Sequence, residues 1–228
     1  MNASRSIARV VAMAMVTGAL FGSPLQAAHA SRGKATVATA VTRTANLIKN
    51  PGAEGGVSLK GGPITLPHWS LNNAPAGVRY GAPGGFPDAN TPGPPSRGKY
   101  FFAGGAAGTS GSTLSQKILL GKYASAIDAG RVSFTLKGWL GGYATDQDYA
   151  YVTVYFYDAS GDSVASTRQI GPVTHTDRND QTELLVRTLQ DGVPGLTRSI
   201  HIAVTFGRFD GAYNDGYADN LSLVLSGI

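Results

Sequence analysis

The chain has 228 residues, with 19 Lys and Arg against 14 Asp and Glu, and it contains no cysteine. The basic residues are scattered and do not array on one helix, which excludes the electrostatic footprint of a nucleic-acid-binding protein. The lack of cysteine excludes disulfides, thiol catalysis and zinc–thiolate sites.

The first 30 residues have the features of a secretory signal peptide. Arg5 and Arg9 form a basic start, residues 10–22 are apolar but too short to span a bilayer, and residues 28–30 read Ala-His-Ala, a cleavage pattern. Cleavage near Ala30 removes two of the 19 basic residues and none of the acids, which lowers the net charge from +5 to +3. We therefore expect a secreted or cell-surface protein without a transmembrane segment, built from a signal peptide (1–30), a flexible tether (31–43) and one domain (44–228).

Short segments of alternating apolar residues follow, separated by glycine and proline. In residues 131–140, Val132, Phe134 and Leu136 share one parity, and residues 149–157 show the same alternation. Residues 81–98 hold five prolines and five glycines, which predicts a long surface loop, and residues 121–129 favour one short helix. The pattern predicts an all-β fold, an antiparallel β-sandwich of jelly-roll type with nine or ten strands. The candidate segments for these strands number eleven: the start of 46–54, and 64–71, 77–80, 99–103, 112–118, 131–140, 149–157, 163–170, 182–189, 199–206 and 221–225.

Both ends of this domain carry a resemblance. The opening Asn46-Leu-Ile-Lys-Asn-Pro-Gly-Ala-Glu54, the tryptophan at Trp69 and the closing residues 216–223, Gly-Tyr-Ala-Asp-Asn-Leu-Ser-Leu, resemble galactose-binding-domain-like β-sandwiches. That superfamily includes many carbohydrate-binding modules of secreted glycosidases. The resemblance covers most of residues 44–228 but is specific only at the two ends.

The resemblance implies a structural calcium ion shared by Glu54 and Asp219, with Asn50 contributing a carbonyl oxygen. Calcium takes six to eight hard oxygen ligands, which carboxylates beside glycine-rich turns supply. The alternative is that both carboxylates only accept hydrogen bonds from turn amides. In either case Asp219 is expected close to Glu54, at the point where a loop becomes the last strand and a carboxylate can stay hydrated or bind a cation.

Aromatic residues mark a candidate ligand-binding surface. Tyr149, Tyr151 and Tyr155 share one face of residues 149–157, and Trp139 has the corresponding parity on the preceding strand. Aromatic rings with polar tips suit stacking on sugar rings. The alternative is that tyrosine is a favoured residue on half-buried sheet faces.

A second candidate lies among the loops at one end of the sandwich. Tyr143, Asp148, Tyr213 and Asp215 fall in these loops, together with Asp146, and they would bind a sugar or a second cation unless they are ordinary turn formers. Asp148 and Asp215 are also the acids that a polysaccharide hydrolase would use as a catalytic pair.

The function most consistent with these features is that of an exported, non-catalytic sandwich that binds carbohydrate and holds a structural calcium ion. Two alternatives remain open at this stage: a secreted polysaccharide hydrolase using paired carboxylates, and a structural or adhesive surface protein. No catalytic residue is assigned, and the sequence leaves the oligomeric state open.

Overall fold

The computed structural model describes residues 41–56, 65–106, 111–209 and 211–228. The predicted signal peptide, nearly all of the predicted tether and the first residue of the predicted strand 64–71 lie outside the described residues. What is described belongs to one compact unit, Ala40–Ile228. Across these ranges there is no helix with the length and apolar character needed to cross a membrane.

The described chain folds into two antiparallel sheets of five strands each, which confirms the predicted all-β sandwich. The front sheet has the strand order β1-β4-β9-β6-β7, and the back sheet has the order β2-β3-β10-β5-β8. One short helix, α1 (Ala124–Asp128), lies within the predicted helical stretch. The strands are β1 (Ser70–Asn72), β2 (Ala76–Arg79), β3 (Tyr100–Gly105), β4 (Gly111–Leu119), β5 (Ser133–Gly142), β6 (Tyr149–Tyr157), β7 (Arg168–Ile170), β8 (Glu183–Gly192), β9 (Ser199–Gly207) and β10 (Asn214–Ser226).

The core lies between the sheets and follows the alternation read from the sequence. Phe156 of β6 and Phe134 of β5 are both fully buried, and their ring centroids are 5.7 Å apart across the sandwich. Leu221, Leu223 and Leu225 of β10 point into the same cluster. Burial of these side chains is the main stabilising contribution to a fold that has no disulfide.

The strand predicted at the start of residues 46–54 is not a regular strand, although the segment runs beside β10. Asn46 replaces part of the backbone ladder: its Nδ2 donates to the Leu221 carbonyl at 2.9 Å, and its Oδ1 accepts from the Leu223 amide at 3.0 Å. The backbone adds only a few bonds of its own, including the one from the Leu47 amide to the Leu223 carbonyl at 2.9 Å. A side-chain amide that mimics the backbone therefore fastens the chain's opening segment to its last strand.

The last strand is much longer than the predicted 221–225. It begins at Asn214, and its pairing with β5 shifts register between Asp219 and Ser222, where Asn220 has a φ of 47°. The prediction that Asp219 lies where a loop becomes the last strand is wrong, because Asp219 lies inside β10 and is 0% exposed. Alternation did not reveal residues 214–220 because this part of β10 is covered on both faces.

The cover on the outer face of the back sheet is the loop of residues 81–98. It lies over a second apolar cluster that contains Phe101, Leu184 and Tyr217, all fully buried. The Leu184 amide donates to the Pro92 carbonyl at 3.0 Å, and the Asn220 side chain donates to the Ser96 carbonyl at 2.9 Å. The prediction of a long irregular loop is confirmed, but this loop forms an additional packed layer on the sheet.

This packing predicts a large stability effect from a residue outside the main core. Phe101→Ala removes a ring at the centre of the second cluster and should lower the free energy of unfolding by about 3–5 kcal/mol in urea titration. Leu71→Ala, at a side chain that is 47% exposed, is the control and should change it far less. Equal effects of the two substitutions would show that the loop does not pack on the sheet.

Candidate functional site

The four tyrosines of β6 lie on the outer face of the front sheet. Each is half-buried, since the intervening residues of the strand point into the core. The rings of Tyr149 and Tyr151 have centroids 6.0 Å apart with planes 29° from parallel, and the Phe209 ring centroid lies 5.8 Å from that of Tyr149. These three residues are called the aromatic strip here, and Phe209 is 67% exposed.

Strand pairing fixes the neighbours of these tyrosines. β6 pairs with β9, and β9 pairs with β4, so that Tyr151 lies in one cross-strand row with Thr205 and Thr113. A second row holds Tyr155, His201 and Lys117. The His201 ring also contacts Tyr157, with centroids 4.6 Å apart. Hydroxyl, imidazole and ammonium groups therefore lie beside the aromatic rings on one face.

Trp139 does not belong to this face. The prediction that it lies beside the tyrosines is wrong, because β5 is in the back sheet and β6 is in the front sheet. Trp139 pairs with Val186 and Asp219 and packs against the cluster under the 81–98 loop. Trp139 and the tyrosines have the same parity on consecutive strands. Equal parity puts them on one face only if the two strands are neighbours in the same sheet.

At one end of the sandwich, three carboxylates converge as the loop-end hypothesis expects. The carboxylate oxygens of Asp146, Asp148 and Asp215 lie within 4.8 Å of one another. Asp148 is 0% exposed; one of its oxygens accepts from the Asp215 amide at 2.9 Å and the other accepts from the Phe209 amide. Burial raises the pKa of Asp215, and the charges of Asp146 and Asp148 raise it further. The Tyr217 hydroxyl, which donates to Asp215 at 2.7 Å, lowers it in part.

A fully buried arginine stabilises this end of the fold. Arg178 donates to the backbone carbonyls of Ala144 at 2.8 Å and Asp146 at 2.9 Å, and also to that of Gln181. Burial lowers its pKa, while the nearby Asp146 counteracts that effect. Its contacts are bonds to loop carbonyls, so its role is to hold loops together. The burial of Arg178 was not predicted from the sequence.

The loop-end tyrosines pack against the 81–98 loop. The Tyr213 ring lies edge-to-face against Phe86 at 5.3 Å, and burial raises its pKa to about 12, with Asp215 adding to the effect. Tyr143 is 39% exposed, and its ring lies so close to Gly85 that a Cβ there would come within 2.6 Å of it. Both side chains pack against this loop, so they are assigned to its support and not to the aromatic strip.

The two carboxylates expected to share calcium occupy the junction between the chain's two ends. Glu54 is exposed, and its Oε1 accepts from the amides of Lys99 and Tyr100 at 2.7 Å each. Asp219 accepts from the Tyr80 hydroxyl at 2.8 Å and from the Asn220 amide at 2.7 Å. Gly52, two residues before Glu54, lies against Asp219, since a Cβ on Gly52 would be 2.8 Å from Oδ1.

The third residue of this set, Asn50, begins the turn. Its side-chain oxygen accepts from the Gly55 amide at 2.8 Å, and its backbone carbonyl accepts from the Trp69 indole at 3.0 Å. Asn50 has a φ of 48°, a left-handed conformation that asparagine tolerates well. The turn is therefore held by the residues that carry the sequence resemblance.

Asp219 titrates far from its ordinary range. Burial raises its pKa to about 7; the Tyr80 hydroxyl and the Asn220 amide lower it, and the charge of Glu54 raises it. Arg97 also lowers it, from a position over the Tyr80 ring, 5.1 Å from the centroid. The carboxylate is thus partly protonated at neutral pH unless a further positive charge lies near it.

No protein-family model matches the sequence, and no curated protein matches it. Solved structures do match. The sandwich is similar to the enzymatically active domain of tailspike protein 4 of bacteriophage CBA120, at 14% identity and TM-score 0.49 over 78% of this chain and 21% of that one. It is also similar to TmCBM61, solved with β-1,4-galactotriose, at 16% identity and TM-score 0.46 over 79% and 98% of the two chains. A third match is a family 16 carbohydrate-binding module, at 21% identity and TM-score 0.47 over 78% and 99%.

All three matches lie below 25% identity and below a TM-score of 0.5, so the site is argued from the residues of this chain. This chain spans about a fifth of the tailspike chain and nearly all of the two binding modules. The sandwich with its antiparallel sheets agrees with the galactose-binding-domain-like resemblance of the chain ends.

Three residues of the tyrosine face were not identified from the sequence: Lys117, His201 and Phe209. The alternation of Ile200, Ile202, Val204 and Phe206 was visible and already implied that His201 points outward. Its placement beside Tyr155 depends on the pairing of β9 with β6, which are separated by two sheet crossings in the chain. Phe209 follows β9 in a loop and carries no periodic signal.

The buried carboxylate predicts an unusual pH dependence of stability with EDTA present. The folded-state pKa of Asp219 is about 7 and its ordinary value is 3.8, so the folded protein retains a proton that the unfolded chain releases. This stabilisation is complete below pH 4 and is lost as the pH rises towards 7 and above. The difference in the free energy of unfolding between wild type and Asp219→Asn, measured by urea titration, should therefore change by on the order of 4 kcal/mol between pH 4 and pH 8. Parallel pH profiles for the two proteins would contradict the raised pKa.

Proposed function

We propose that this protein is an exported, non-catalytic β-sandwich that binds carbohydrate on the outer face of its front sheet. The observation that carries the proposal is the aromatic strip of Tyr151, Tyr149 and Phe209, with successive centroids 6.0 and 5.8 Å apart on a face with half-exposed rings. The proposed export rests on the basic, apolar and small-residue pattern of residues 1–30.

The arrangement of the cross-strand rows on this face makes the aromatic strip suited to binding a sugar chain. Aromatic rings contact the apolar face of a pyranose, and the tyrosine hydroxyls bond to its hydroxyl groups. Thr205 and Thr113 continue the Tyr151 row across two further strands and add hydroxyls at a spacing of about 4.8 Å per strand. A ligand on this face therefore meets an apolar strip bordered by neutral hydrogen-bonding groups.

The similar structures include carbohydrate-binding modules, one of them solved with β-1,4-galactotriose. Their similarity is too distant to assign a ligand to this chain. The proposal depends on the residues of the tyrosine face, and Trp139, Tyr143, Asp148, Tyr213 and Asp215 are left out of the proposed surface because they pack against or beneath loops.

A hydrolase using Asp148 and Asp215 has weaker support. A catalytic carboxylate must reach the substrate, whereas Asp148 is fully buried with both oxygens accepting backbone amides. An adhesive protein without a small ligand is separated from the binding module by experiment.

Sugar binding should depend on the strip and be independent of the back sheet. Tyr149→Ala and Tyr151→Ala should each weaken binding to a responsive glycan by about tenfold, since loss of one stacking ring removes on the order of 1 kcal/mol. Trp139→Ala, on the opposite face, is the matched control and should bind as wild type does. Affinity electrophoresis in polysaccharide gels measures all three.

Release of reducing sugar by the wild-type protein would contradict the non-catalytic assignment. Absence of binding across a broad polysaccharide panel would favour the adhesive alternative. Loss of binding in Trp139→Ala, with the tyrosine variants unaffected, would place the ligand on the wrong face for this proposal.

We further propose that calcium binds between Glu54 and Asp219, with the backbone carbonyl of Asn50 as a third ligand. Each carboxylate and the carbonyl already accepts hydrogen bonds, but each retains lone pairs for a cation. Burial is the main cause of the raised pKa of Asp219, and the charge of Glu54 adds to it; a divalent ion would offset both effects. Bound calcium would supply positive charge that fastens the first turn to β10.

Calcium should therefore stabilise the EDTA-treated protein. A concentration 100-fold above the dissociation constant contributes about 2.7 kcal/mol, or roughly 5–10 °C in the melting midpoint. Glu54→Gln and Asp219→Asn should lose this response, whereas Asp158→Asn, in an exposed turn after β6, should keep it. A wild-type midpoint that is the same in EDTA and in calcium would remove the metal site.

A further inference from the structure

We propose that the carbohydrate bound by the tyrosine face is an acidic polysaccharide, with Lys117 and His201 contacting its carboxylate or sulfate groups. This inference rests on the proposed function of the same face and names the class of its ligand.

The charge distribution over the two sheets is unequal. None of the five strands of the front sheet contains an Asp or Glu, although they contain Lys117, Arg168 and His201. The back sheet, in contrast, contains four acidic residues, namely Glu183, Asp191, Asp215 and Asp219. A polyanion on this face therefore meets no repelling carboxylate from the strands of the front sheet. A cationic ligand would find no carboxylate on these strands to pair with.

The two basic side chains lie in a defined position relative to the rings. Lys117 pairs with His201, and His201 pairs with Tyr155, so the three occupy adjacent places in one row across β4, β9 and β6. Adjacent strands are about 4.8 Å apart, which puts the two basic groups within reach of one anionic substituent. The His201 ring is held at this place by contact with Tyr157.

These basic groups are not neutralised by the protein. The ion pairs among the described residues join Arg168 to Asp191, His175 to Asp180, Arg187 to Asp177 and Arg198 to Asp128, so neither Lys117 nor His201 takes part in one. Burial lowers the pKa of His201, and the positive charge of Lys117 lowers it further. An anion bound between the two groups removes this repulsion and favours the charged imidazolium.

The distance between the aromatic strip and the row of Lys117, His201 and Tyr155, called the basic row here, favours a polymeric ligand. Tyr151 and Tyr155 are four residues apart on one strand, a separation of about 13 Å. The row between them holds Ser115, Ala203 and Thr153, all with small side chains, and Thr153 is buried. A ligand that stacks on the strip and reaches Lys117 is therefore longer than one sugar ring.

Matched polymers test the inference on the chain after signal-peptide removal. Polygalacturonate is compared with its fully methyl-esterified form, and dextran sulfate with dextran, by affinity electrophoresis and calorimetry at low and high salt. We expect the charged member of one pair to bind at least tenfold more tightly at low salt, and its advantage to shrink as salt screens the charges. The pair that responds identifies the carboxylate or the sulfate as the recognised group.

Substitutions then assign the effect to the two side chains. Lys117→Gln and His201→Gln should each reduce binding of the charged polymer severalfold and leave binding of its neutral partner unchanged. Lys137→Gln, at an exposed position on the back sheet, removes the same charge elsewhere and should have no effect. Circular dichroism and thermal melts of all three variants exclude unfolding as the cause.

The outcomes separate this inference from the proposed function. Equal binding of charged and neutral polymers that is lost in Tyr149→Ala keeps sugar binding and overturns the acidic class. If Lys137→Gln weakened binding of the charged polymer as much as Lys117→Gln does, the attraction would be unspecific and the acidic class would be overturned. Tighter binding of single-stranded oligothymidylate than of any acidic polysaccharide would overturn it as well. Absence of binding to every polymer overturns both statements.

Discussion

The bulge in β10 is the constraint on which the back sheet depends. Up to Asp219 the strand presents that carboxylate to the outer face, opposite Trp139, and after the register shift it presents Leu221, Leu223 and Leu225 to the core. At the same place the Leu221 amide donates to the Pro51 carbonyl, so the shift also provides the point at which the chain's first turn attaches. One irregularity thus joins the two chain ends, the central strand and the 81–98 loop.

The consequence is a sandwich with two unlike outer faces. The back sheet buries Phe101, Leu184 and Tyr217 beneath the proline-rich loop and encloses the Asp219 carboxylate there. The front sheet has no such layer among the described residues, and its outward tyrosines keep part of their rings exposed. Structural roles therefore concentrate on the back sheet and chain ends, and the ligand is assigned to the front sheet.

The strand content and the sandwich were predictable, because periodic alternation records which residues face the core. The limits of β6 were predicted correctly, and Phe134, whose parity with Val132 and Leu136 was read from the sequence, lies in the core. Sheet membership was not predictable, because it depends on pairings between distant segments; Trp139 and Tyr151 share a parity but lie on opposite faces. The burial of Asp219 was missed for a related reason, since a loop far away in sequence covers it.

The central claim is that the aromatic strip and the basic row form one carbohydrate-binding surface. Nuclear magnetic resonance of the labelled protein, titrated with oligogalacturonates of increasing length, locates bound sugar residue by residue. We expect chemical-shift changes at Tyr149, Tyr151 and His201 that grow once the oligomer spans both groups, with the signals of Trp139 unchanged. Shifts confined to Trp139 and the 81–98 loop, with the tyrosine face unchanged, would contradict it.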